Sequence, residues 1–173
     1  GWVKSDVVTG STIAVRFNQV TQVGDIVPYA DVRVRRALTM AVDNATVLSL
    51  GYNDRGVVGE NHHVAPIHPE YAQLPPPVFD PAEALRLLEE AGMRDYVHEL
   101  VSIDDDWRRN TTDAVAAQLR DAGISVERRV IPGASFWNDY ASYPFSSTNW
   151  SHRPLGVQVL ALAYRSGEAW NET

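Results

Sequence analysis

Asp80-Pro81-Ala82-Glu83-Ala84-Leu85-Arg86-Leu87-Leu88-Glu89-Glu90-Ala91-Gly92 leads into His98-Glu99-Leu100-Val101-Ser102-Ile103. The chain then runs through Asp104-Asp105-Asp106 to Ala122-Gly123, and on through Ile124 to Ile131. Asp80 offers a capping carboxylate directly before a proline at the first helical position, and Ala84, Leu85, Leu87, Leu88 and Ala91 recur at helical spacing until Gly92. Residues 98–103 are a strand-length apolar run. Three aspartates are favourable at a helix start. Ala114, Val115, Ala117, Leu119 and Ala122 supply the apolar face of the helix they open, which Gly123 ends. Residues 124–131 alternate Ile124, Val126, Arg128 and Val130, a strand with one wetter face. Helix, strand, helix, strand is the signature of an α/β layer.

On the C-terminal side, residues 134–143 read as a short helix carrying Phe136, Trp137 and Tyr140. Residues 145–150 read as another strand, and Leu155 to Tyr164 as a mostly apolar segment. On the N-terminal side, Thr12-Ile13-Ala14-Val15-Arg16-Phe17 has strand composition. Asp31 is placed to cap a helix with Val34, Leu38, Ala41 and Val42 at helical spacing, and Asp43 or Asn44 to cap a second one ending at Gly51. Residues 52–79 hold no periodic segment, and Pro66, Pro69 and Pro75-Pro76-Pro77 keep them extended or turned. A loop of that length in a compact domain is more often functional or lobe-bridging. The predicted fold is a single α/β unit with a mixed sheet flanked by helices 31–42, 80–91 and 106–122.

The 173 residues suffice for one domain with its own core. Acidic side chains outnumber basic ones 22 to 15, a net charge of −7. That argues against a nucleic-acid surface, which needs clustered Lys and Arg. No apolar run approaches the roughly 18 residues of a membrane span, so no direct membrane insertion is expected. The absence of cysteine removes disulfides, thiolate metal sites and a Cys nucleophile. Gly1-Trp2-Val3-Lys4 has no start Met, and Trp170 lies near the other end with no element after it. Both ends read as cut from a longer protein.

No Gly-x-Ser-x-Gly elbow, His-Glu-x-x-His, phosphate loop or Gly-x-Gly-x-x-Gly is present. Asp104, Asp105 and Asp106 are adjacent, unlike the separated carboxylates of a glycosidase. Glu60, His62, His63 and His68 have ligand types that suit zinc or nickel, but their spacing matches no helical pair. The same residues also read as polar side chains of a long loop. No cofactor or metal is expected. Trp107, Trp137 and Trp150 fall near strand–helix boundaries, where open α/β sheets hold ligands. Trp150 stands out in the polar run Asn149-Trp150-Ser151-His152-Arg153-Pro154, where it reads as a stacking platform or as a core residue.

Pro28-Tyr29-Ala30-Asp31-Val32-Arg33-Val34-Arg35-Arg36-Ala37-Leu38, continuing to Ala41-Val42-Asp43, resembles a segment of the family 5 extracellular solute-binding proteins. These are the peptide, nickel and opine receptors of ABC importers. Tyr71 with Asp80 to Ala84 and Leu87 to Gly92 resembles that family's next landmark. Ala117-Gln118-Leu119 through Ala122-Gly123-Ile124-Ser125-Val126 resembles a third, in family order across about residues 12–165. The resemblance implies one lobe of a type II periplasmic-binding-protein fold, in which two lobes close over a solute. Residues 1–173 would form a single partial domain, the second lobe, without the first lobe or the C-terminal helices. It further implies a small solute (peptide, opine or similar), a membrane permease as partner, a periplasmic or extracytoplasmic location and a signal peptide on the full-length protein.

Family members place a Trp at the position resembling Trp150. Dipeptide-binding members carry an Asp near Arg153 and an Arg near Ser102, and here both positions differ. The expected ligand-binding residues are Trp150, Asn149, His152, Arg153, Ser102, Asp104 and Trp107, with His62 and His63 as a rim. Trp150→Ala is expected to weaken binding with the melting temperature nearly unchanged. The competing readings are a hydrolase domain using His62, His63 or His152, and a sensor or chaperone on the same fold. Neither comes with a nucleophile–base constellation, so the chain is not expected to be an enzyme.

Overall fold

Four of the helices begin at an aspartate whose side chain accepts a backbone N–H of the first turn, and these caps fix where the layers start. In the computed structural model, which describes residues 1–171, α1 (Val32–Met40) is capped by Asp31 and α2 (Asn44–Tyr52) by Asp43. Asp80 caps α3 (Pro81–Glu90), with Pro81 needing no hydrogen-bond donor, and Asp105 caps α4 (Asp106–Asp121). Gly92 (φ +68°) and Gly123 (φ +84°) turn the chain out of α3 and α4 in the left-handed region.

The strands are β1 (Thr12–Phe17), β2 (His98–Ile103), β3 (Val126–Ile131) and β4 (Phe145–Trp150). They form a mixed sheet in the order β1-β4-β2-β3. β2 runs parallel to β3 and to β4, and β1 pairs antiparallel with β4 from Thr12↔Trp150 to Phe17↔Phe145. Two short segments, α5 (Gly133–Asn138) and a 3-10 turn over Tyr140–Ser142, precede β4, and α6 (Gly156–Ala163) follows it.

Alternation along the strands divides the core in two. One face carries Leu100, Val126 and Phe145 against Val34, Leu38, Leu88, Val115 and Leu119 of the helices, with Phe17 stacked on Phe145. The opposite face carries Val101 and Ile103 against Phe136, Tyr140 and Tyr143. Helices on both faces of the sheet account for the α/β pattern read from the sequence.

Three local expectations change. The second helix does not end at Gly51: it continues to Tyr52, and Asn53 takes the left-handed cap at φ 51°. Gly51 is instead a close-approach residue, because a Cβ there would lie 2.6 Å from Thr111 Cα in α4. The stretch 134–143 is not one helix, since it breaks at Asp139. Ile124 precedes β3 rather than opening it, and Val130 is exposed at that sheet edge. Arg128, the polar member of the inward set, donates to Asp113 (2.8 Å), Ser102 Oγ (2.7 Å) and the Leu100 carbonyl.

His98 is wholly buried at the start of β2, where Nδ1 lies 3.0 Å from the Tyr29 hydroxyl. Burial pushes its pKa down to about 4, and pushes that of Tyr29 up, so a neutral phenol lies beside a neutral imidazole. The unfolded chain protonates His98 near pH 6.5 and the folded chain resists doing so. Stability is therefore full above about 6.5 and falls as pH drops toward 4, by roughly 3 kcal/mol over the window. His98→Gln should flatten that part of a thermal melt series, and an unchanged pH profile would refute the assignment. Gly51→Ala should cost roughly 2 kcal/mol or more in urea unfolding, because the obstructing atom is backbone.

Candidate functional site

Parallel pairing of β2 with β4 brings Ile103 and Trp150 to one edge of the sheet, and antiparallel pairing brings the start of β1 there too. The turns into α4, α5 and α6 leave from this edge. In open α/β sheets the carboxyl ends of parallel strands are where ligands sit.

Asn149 and Trp150 close β4 and point to opposite faces. Asn149 Oδ1 accepts two donors of Arg108, Nε at 2.8 Å and Nη2 beside it. Arg108 also pairs with Asp105, which caps α4 through the Arg108 backbone N–H at 2.9 Å. Trp150 is half-buried. Its ring lies 5.7 Å from the Arg16 guanidinium carbon, 5.8 Å from His63 and 6.5 Å from Trp170. Arg16, itself buried, donates to the Trp170 carbonyl (3.0 Å) and to the Tyr140 hydroxyl.

The next turn is tied to the N-terminal segment. His152 Nδ1 accepts from the Gly10 N–H at 3.0 Å, and the His152 backbone N–H donates to Ser11 Oγ at 2.9 Å. Its ring stacks on His68, with centroids 6.0 Å apart and planes 9° from parallel. His68 Nδ1 accepts from the Ala65 N–H at 2.8 Å, so Nε2 carries the proton that it donates to the Arg153 carbonyl at 3.0 Å. A Cβ on Gly10 would come within 2.8 Å of the His68 ring, which explains a glycine there. The Arg153 side chain is exposed and has no ion-pair partner among the described residues.

The remaining expected site residues divide. Asp104 pairs with Arg109 at 3.0 Å, and Asp106 holds the same arginine at 2.7 Å. With Asp105 on Arg108, all three aspartates are charge-paired. Trp107 packs on Tyr52, with ring centroids 5.9 Å apart. Ser102 lies apart from the edge group: it is fully buried on the α4 side of β2 and engaged by Arg128. His63 Nε2 lies 3.0 Å from the Tyr164 hydroxyl, and burial, then Arg16 and His62, push its pKa down to about 4. His62 faces Glu60 at 3.3 Å, and Glu60 also accepts from the Tyr71 hydroxyl. Among the described residues no group of three His, Cys, Asp or Glu side chains is placed to hold a metal ion.

Sequence reasoning missed Arg16, Arg108 and Gly10, and weighed His68 only as a loop residue or metal ligand, not as the partner of His152. An arginine on the Ala14 side of an otherwise apolar strand was the one local signal, pointing to Arg16. Arg108 gave none, because its partner lies 41 residues away.

A mixed four-stranded sheet with helices on both faces matches one lobe of a periplasmic-binding-protein fold. The chain belongs to the bacterial extracellular solute-binding proteins of family 5, whose middle-region model matches residues 3–171. It is similar to NikZ from Campylobacter jejuni in complex with Ni(L-His), with TM-score 0.77 and 20% identity over 95% of this chain and 36% of that one. OppA of Listeria monocytogenes bound to peptide gives 0.75 and 22% over 96% and 36%. AppA of Bacillus subtilis in complex with a nonapeptide gives 0.74 and 17% over 94% and 35%. The chain thus spans about a third of the length of these structures. No curated protein sequence matches it. The family and these structures are solute-binding proteins rather than enzymes. No helix among the described residues is long and apolar enough to cross a membrane.

The packing of Trp150 revises the expectation that its removal leaves stability untouched. Trp150→Ala uncovers Arg16 and His63 and should lower Tm by roughly 4 °C or more, while Trp150→Phe recovers most of the loss. An unchanged Tm for the alanine variant would mean that the indole is not packed against them.

Proposed function

We propose that this chain is the second, ligand-facing lobe of the extracytoplasmic solute receptor of an ABC importer, a single partial domain of a two-lobe protein. The solute is a peptide or related small molecule, the partner is the importer's membrane permease, and the location is periplasmic or extracytoplasmic. Asn149, Trp150, His152 and Arg153, with Asp104 and Trp107 beside them, form its solute-facing edge; His62 and His63 lie on the loop behind, and Ser102 backs the strand.

The observation that carries this reading is the position of Asn149, Trp150 and Arg153 at and just beyond the carboxyl end of β4, alongside that of β2. Arg153 has no ion-pair partner among the described residues, and a guanidinium binds carboxylate in bidentate geometry, which supports a carboxyl-bearing solute at that point. Asp104, Asp105 and Asp106 share only Arg108 and Arg109 and leave one negative charge at the edge. A hydrolase using His62, His63 or His152 is disfavoured by the partners of their rings, Glu60, Tyr164 and a backbone N–H, none of which is a Ser, Thr or Cys side chain.

Closure of two lobes supplies contacts and water exclusion that one lobe lacks. Calorimetry with a defined tripeptide set should give at least a hundredfold tighter binding for the full-length receptor than for this chain. Equal affinity would contradict the cleft. In the full-length receptor, Arg153→Ala should weaken anionic peptides at least tenfold relative to their C-terminal amides. Equal loss for both would refute the role of Arg153.

A further inference from the structure

The carboxamide of Asn149 can sit in two ways, related by a flip that exchanges an acceptor for a pair of donors. Arg108 decides between them. A guanidinium has five N–H donors and no acceptor, so only Oδ1 can face it. Both Nε and Nη2 converge on that oxygen. Arg108 is in turn held by Asp105, the residue that starts α4, and its side chain is 23% exposed, so the arrangement is partly shielded from water. Helix cap, arginine and strand end form one connected unit.

The consequence lies on the other side of the amide. Nδ2 has no hydrogen-bond partner in the protein and is not among its buried polar atoms. Two N–H donors are therefore presented at the carboxyl edge of β4 in fixed orientation. The three aspartates at the start of α4 are held by arginines rather than by Asn149, Asp105 on Arg108 and Asp104 and Asp106 together on Arg109. Arg153 adds further donors.

We infer that Arg108 is a positioning residue that locks the Asn149 amide with its NH2 group toward the open edge, so that the edge selects a hydrogen-bond acceptor on the solute, a carbonyl or carboxylate oxygen. This rests on the reading of the edge as the solute-binding face. A solute offering only donors there leaves the amide N–H groups unpaired and meets Arg153 with like charge.

The test uses the side-chain NH2 resonances of Asn149 in 15N spectra of the 173-residue chain. The probes are acetate, neutral N,N-dimethylacetamide, which only accepts, and methylammonium, which only donates. The two acceptors should shift the Asn149 pair saturably and methylammonium should not. Arg108→Leu frees the amide to flip and should weaken the response at least fivefold, and Arg108→Lys should restore part of it. Should Arg108→Leu fail to fold, Asn149→Asp keeps an acceptor for Arg108 and removes both donors. Dimethylacetamide should then no longer shift the backbone amide resonance of position 149. Equal response to methylammonium, or an undiminished acceptor response in Arg108→Leu or Asn149→Asp, overturns the inference. A full-length receptor that binds peptides while Asn149 ignores acceptors would refute this inference alone. One whose solute lies elsewhere while Asn149 responds would refute the receptor-edge reading alone.

Discussion

β4 lies between β1 and β2 although it is the last strand in the chain, and the rest of the architecture depends on that insertion. Its parallel pairing with β2 aligns two carboxyl ends, and its antiparallel pairing with β1 returns the N-terminal segment to the same edge. The strand suits its place because Ser147, small and buried on the α4 side, lets α4 approach closely enough for Thr112 Oγ1 to meet Ser147 Oγ at 2.5 Å. A slip of one residue would exchange the two faces of β4. Trp150 would then be driven toward α4, and Asn149 would lose Arg108.

Charge is distributed to the same end. Much of the acidic excess goes into helix caps at Asp31, Asp43, Asp80 and Asp105, where a carboxylate both satisfies amide donors and complements the helix dipole. Arginines pair with acids mostly within one or two helical turns, as Arg86 does with Glu83 and Glu90. Exposed pairs of this kind add little stability. At the β4 edge they hold Asp105 on Arg108 and Asp104 and Asp106 on Arg109.

Elements whose causes are local were legible in the sequence. Asp80-Pro81, the aspartates before Trp107, Gly92 and Gly123 each fix a helix end through neighbours within a few residues, and the family landmarks lie on these same helices. The position of β4 was not legible, because Phe-Ser-Ser-Thr-Asn-Trp has little apolar signal and its partner β1 lies more than 120 residues away. Gly51 looked like a helix terminator and proved to be a packing contact with Thr111, a distinction that only tertiary structure makes. Within the candidate site, the polar loop around Trp150 was visible as a cluster. The elements that hold it (Arg108 on α4, the His68–His152 stack and the close approach of Gly10) join segments 41 to 142 residues apart and leave no local pattern.

The central claim is that the solute of this receptor rests on the carboxyl edge of β2 and β4. The most direct measurement is a crystal structure of the full-length receptor purified with its natural solute bound. The account predicts solute density against Asn149, Trp150 and Arg153, with an acceptor atom within hydrogen-bond distance of Asn149 Nδ2. Density at the opposite end of the sheet, near Tyr96 and His98, or on the exposed helical surface, would contradict it.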